Sequence, residues 1–101
     1  MYVVMNRVMV KDEWRSQLIE RFENRKGKID LQPGFVRMQV LEPEAPGLPC
    51  VVLTMWEDKA AFEQWVTSDD FRQAHQNPMP KEAFNEGGGL ETFNVAVSAE
   101  V

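Results

Sequence analysis

One cysteine and one histidine in 101 residues leave little room for a self-contained metal site. A single thiol forms no intramolecular disulfide and no thiolate-held zinc or iron–sulfur centre, so a reducing compartment is the natural expectation. Basic charge is also short: 11 Lys and Arg stand against 16 Asp and Glu, a net charge of −5. No basic stripe is long enough to neutralise a run of phosphates, and nucleic acid is an improbable partner. No apolar run reaches membrane-spanning length, and the start, Met1-Tyr2-Val3-Val4-Met5-Asn6-Arg7, lacks the basic stretch, apolar core and cleavage site of a secretory leader. These features lead us to expect a cytoplasmic protein without a membrane partner. Gly87-Gly88-Gly89 is not followed by Lys-Ser or by a helix pattern, so nucleotide binding is unsupported.

What is present is an ordinary folding composition, 44% apolar and 27% charged, in one domain covering residues 1–101. Residues 2–10 carry Val and Met on both phases of a two-residue repeat, as a strand covered on both faces would. Asp12 and Glu13 put acid at a helix start, Trp14, Leu18 and Phe22 recur every four residues, and Arg25-Lys26-Gly27 supplies the stop. Pro33-Gly34 signals a turn before an alternating strand at 35–41, and Cys50–Trp56 is a further β-prone run. Asp58 can cap a helix whose stripe is Phe62, Trp65 and Val66, and Ser68-Asp69-Asp70 looks like a fresh cap before Phe71, Ala74 and His75. Residues 76–89 hold two prolines and three consecutive glycines and are expected to be a mobile loop. Residues 90–97 close the chain as a fourth strand.

The order is βαββαβ, a ferredoxin-like α+β layout. Two helices cover one face of such a sheet, yet the first and third strands are apolar on both phases. Face-to-face homodimerisation would cover the other side.

Five residues could carry chemistry. Asn6 is an amide in an otherwise apolar strand phase; buried without a partner it would cost about 1 to 3 kcal/mol, so something is expected to bond it. Read blandly, it bonds a neighbouring backbone group or lies near solvent at a strand end. His75 sits just before the Pro-rich loop, where a neutral imidazole could reach a metal or heme iron, although a lone histidine is more often a surface or capping residue. Trp65 reads first as core packing and second as a pocket wall for a flat ligand. Phe22 and Arg25, one turn apart, can face one cavity with the guanidinium available to a carboxylate; core packing and a solvated helix end are the plainer account. Trp14 and Trp56 read as packing. Cys50 has no base beside it in sequence and is not expected to be a catalytic thiol.

Asn6 in the first strand, Trp65 in Phe62-Glu63-Gln64-Trp65-Val66 and His75 in Ser68-Asp69-Asp70-Phe71-Arg72-Gln73-Ala74-His75 together resemble the IsdG-type heme-degrading monooxygenases. These heme oxygenases belong to the antibiotic biosynthesis monooxygenase superfamily. The resemblance spans essentially the whole chain. It implies a dimeric α/β barrel, one heme per subunit serving as both substrate and cofactor, and His75 as the axial ligand of the iron. Asn6 would donate a hydrogen bond on the distal side, and Trp65 would press the porphyrin out of plane. Catalytic roles thus fall to Asn6, Trp65 and His75, and heme contacts to Phe22, Arg25 and His75. O2 and an external electron donor, such as a reductase, would be needed, since no flavin or nicotinamide motif is present. Trp65→Ala is then expected to keep heme affinity within about tenfold while losing most turnover. The competing readings are a cofactor-independent quinol or polyketide monooxygenase and a non-catalytic heme-binding protein.

Overall fold

A computed structural model describes residues 1–25 and 28–101. The Lys26-Gly27 part of the expected helix stop lies outside the described residues. Four antiparallel strands, β1 (Tyr2–Val8), β2 (Phe35–Leu41), β3 (Cys50–Trp56) and β4 (Gly89–Asn94), form one sheet in the order β2-β3-β1-β4. Helix α1 (Arg15–Glu23) joins β1 to β2, entered through a 3-10 turn at Asp12–Trp14. Between β3 and β4 the helical layer is broken into α2 (Lys59–Val66) and α3 (Asp69–Ala74). This is the ferredoxin-like arrangement, with its second helix in two pieces.

Both expected caps are in place. The Asp58 carboxylate accepts from the Ala61 amide at 2.9 Å, and the Ser68 hydroxyl accepts from the Phe71 amide at 3.1 Å. Each cap is worth about 1 kcal/mol, and Ser68 starts α3 three residues after Trp65. At the entry to β2, Gly34 has φ +78°, and a Cβ there would meet the Ala61 Cβ at 2.6 Å. The Pro33-Gly34 turn therefore also sets how closely α2 lies on the sheet.

Two apolar clusters hold the helices to the sheet. One gathers Tyr2, Val4, Ile29, Trp56, Ala61 and Trp65 under α2; the other gathers Val10, Leu18, Cys50, Met79 and Ala83 beneath α1. Trp56 is fully buried, and its indole N–H donates to the Thr54 hydroxyl at 3.0 Å, so the expected packing role holds. Trp14 packs at the edge of the second cluster.

The segment expected to be a mobile loop is tied down instead. Met79 and Ala83 are buried, Val10 bridges Phe84, the Lys11 amide bonds the Ala83 carbonyl and the Asn85 amide bonds the Met9 carbonyl, both at 2.8 Å. Burial of those two apolar anchors offsets the ordering cost that Pro and Gly imply. The glycine run is used at its middle: Gly88 has φ +88°, and a Cβ there would meet the Arg7 carbonyl oxygen at 2.4 Å. The last strand is also shorter than expected, ending at Asn94.

On the sheet face away from the helices, Val3, Met5, Val51, Leu53, Met55 and Phe93 share one phase. Phe93 is half exposed there, and no helix of the described residues packs over that face. No helix of the described residues is long and apolar enough to cross a membrane.

Candidate functional site

Strand register shows where the helical layer parts. Asn6 pairs with Val52 on β3 and with Leu90 on β4, and Val52 pairs with Val40 on β2, so these four form one row across the helix-side face. The row below it holds Thr54 and Val4, both buried, and the row above holds Cys50, fully buried. The middle row is different: Val40 and Val52 are partly buried, Asn6 is exposed, and Leu90 is 57% exposed. A central-strand residue exposed on the helix side marks a slot between α1 and the α2–α3 pair. Four strands at their usual spacing give it a floor about 14 Å wide.

That register corrects the expectation for Asn6. The phase is apolar as read, but the position is open, so the amide carries no burial penalty and demands no internal partner. It is a polar group on an apolar floor, facing whatever fills the slot.

On the α1 side, Ile19, Phe22, Glu23 and Arg25 with Met38 and Val40 of β2 line a cleft of about 290 Å³. Phe22 and Arg25 do share a cavity. Arg25 lies just beyond α1, its guanidinium donating to the Phe22 carbonyl at 3.1 Å while its charge remains in solvent.

On the other side, Trp65 is 6% exposed and sits inside the first core cluster. It meets Phe71 edge-on, ring centroids 5.4 Å apart at 86°. Phe71 in turn lies against His75, centroids 4.1 Å apart at 33°, so the expected shared face is realised. His75 caps the C-terminus of α3 and is exposed. Its Nδ1 is 2.8 Å from the Phe71 carbonyl oxygen. A carbonyl only accepts, so Nδ1 carries the proton, and in the neutral ring the lone pair is on Nε2. One imidazole supplies one coordination position, so a metal held there must bring its other ligands with it, as a porphyrin iron does. The residues present fit that group: a single aromatic-backed nitrogen donor, an apolar floor and a cation at the rim.

Two contacts place α3. Gln32 donates to the Asp70 carboxylate at 3.0 Å, and Arg21 of α1 donates to the Asn77 carbonyl. Asp69, paired with Arg72, and Asp70 thus serve the helix start, as read. The floor residues Val40, Val52 and Leu90 and the contact of Arg21 were missed in sequence; only the register of β1 against its neighbours identifies the floor. Cys50 is fully buried, and burial pushes its thiol pKa up against the opposing pull of the Arg15 guanidinium, which leaves it a core residue.

The antibiotic biosynthesis monooxygenase family profile matches residues 1–77. A heme-degrading monooxygenase of Shouchella clausii is 32% identical over 101 residues, covering 96% of this chain and 92% of that protein. A staphylobilin-producing heme oxygenase of Staphylococcus haemolyticus is 37% identical over 79 residues, 76% of this chain and 75% of that one. Among solved structures, the heme degrader MhuD of Mycobacterium tuberculosis with two hemes in its active site superposes with a TM-score of 0.81 at 26% identity, covering 99% of this chain and all (100%) of that one.

Proposed function

From the premise that the chain belongs to the antibiotic biosynthesis monooxygenase family, we propose that it is a heme-degrading monooxygenase, binding heme in the slot between α1 and α3. The observation that carries this reading is the exposed imidazole of His75, whose Nε2 lone pair is left free by the Nδ1 contact to Phe71. The names of the two curated relatives support the same chemistry.

Heme, the substrate, supplies the iron at which O2 and electrons from an external reductase are used to open its own ring. The chain's residues bind and orient. His75 Nε2 would ligate the iron. Asn6, on the floor, would offer its amide as a hydrogen-bond donor to negative charge in the slot, where a preorganised hydrogen bond is most effective. Phe22 and the apolar floor exclude water, and Arg25 pairs with a carboxylate of the porphyrin edge. Trp65 backs the wall that shapes the ring, a positioning role. The apolar sheet face supports a homodimer built as a dimeric α/β barrel, and the lone buried thiol suits a cytoplasmic location.

A hemin titration followed by reductant under air tests the reading. The expected result is one-to-one growth of the Soret band, its decay with release of chelatable iron on reduction, and failure of His75→Ala. Hemin that binds but survives repeated reductant additions would make the chain a carrier. Failure to bind would point to a heme-independent monooxygenase.

A further inference from the structure

Phe71 touches His75 in two ways, through its carbonyl oxygen at Nδ1 and through its ring against the imidazole. Positions i and i+4 face one another on a helix, and here the second is the C-cap just beyond a six-residue helix, where the chain is least restrained. An exposed imidazole at such an end would sample several rotamers. Phe71 is itself restrained, because it packs edge-to-face with the buried Trp65. A chain of three rings therefore runs from the core to the exposed nitrogen.

We propose that Phe71 is a positioning residue: its ring holds the imidazole plane in the orientation that keeps Nδ1 on the carbonyl, which selects the tautomer with its proton on Nδ1 before any ligand arrives. Trp65 then acts on His75 through Phe71, apart from any contact of its own with a ligand. The consequence for heme rests on His75 being the iron ligand; the tautomer does not, since it belongs to the free protein.

His75 is the only histidine, so long-range 1H–15N spectra of the free protein report a single imidazole. At about pH 8.5, above the ordinary imidazole range, the wild type should show a protonated Nδ1, an unprotonated Nε2 and ring protons shifted upfield by Phe71. Phe71→Leu keeps an apolar side chain against Trp65 but removes the ring. It should give a mixture of tautomers and speed hemin dissociation about tenfold, the usual cost of losing a ligand-orienting contact. Phe71→Tyr should restore the wild-type tautomer and rate, which a packing defect would not predict. Phe71→Leu with the wild-type tautomer would overturn the proposal, even with His75→Ala unable to bind hemin. If His75→Ala instead binds hemin like the wild type, the ligand reading fails while the tautomer result still decides the role of Phe71.

Discussion

Arg21, in the last turn of α1, donates a hydrogen bond to the carbonyl of Asn77, two residues beyond His75. The contact joins the helix that carries Phe22 to the segment leaving α3, and Met79 then buries beside Leu18. The two walls of the slot are thereby held at a set separation.

Arg21→Ala should loosen that separation without unfolding the domain, because the group is exposed and surface changes are worth about 0.5 kcal/mol or less. Hemin dissociation should rise several-fold, and amide exchange at 77–79 should quicken. Unchanged values of both would show that the walls are set by the core alone.

Trp65 packs in the core, so Trp65→Ala removes a buried indole and should cost about 3–5 kcal/mol of stability. Turnover by that variant would mix unfolding with chemistry. Trp65→Phe keeps most of the packing and is the cleaner probe: hemin affinity should stay within about tenfold while ring opening slows by more than tenfold. Equal rates in Trp65→Phe and wild type, at equal stability, would remove Trp65 from the mechanism.

Asn6→Leu should leave the free protein as stable as the wild type, since the position is open and its row neighbours Val52 and Leu90 are apolar. Hemin should still bind through His75. Ring opening should fall about 10²-fold, the scale on which a lost oxyanion donor is felt. Retained turnover would mean that the amide is spectator to the reaction.

Much of this was legible from sequence because it is local. The caps Asp58 and Ser68, the strand phases and the Phe71–His75 face are set within a few residues of one another. The opening above Asn6 was not, because a strand phase says which face a residue takes but not whether a helix lies over it; α1 and α2 straddle that row. Order in 76–89 was hidden for a related reason. Two prolines and three glycines mark the segment, and only docking against residues 9–11 and α1 reveals Met79 and Ala83 as anchors.

The uncovered sheet face makes a separate prediction. In solution the protein should sediment at twice its 11.6 kDa chain mass. Leu53→Glu, at the centre of that face, would bury an unpaired charge in the interface and should weaken association about 100-fold or more. A monomeric wild type at micromolar concentration would require another way of covering the half-exposed Phe93 and the partly buried Met5 and Leu53.

Cys50 sets a limit on alkaline stability. Burial raises its thiol pKa above the ordinary value of 9.0, the Arg15 guanidinium pulling the other way. The sign follows from proton counting. Below the unfolded-state pKa both states hold the proton and pH has no effect through this group. Above it the unfolded chain releases the proton while the native core retains it, so stability falls as pH rises until the folded pKa is passed. Urea midpoints should therefore decline as pH rises through and above the ordinary thiol range, and Cys50→Ser should decline less over the same range, although its hydroxyl in a core position lowers stability at every pH. Parallel pH profiles for the two proteins would mean that the thiol ionises equally in both states and that its burial is not felt electrostatically.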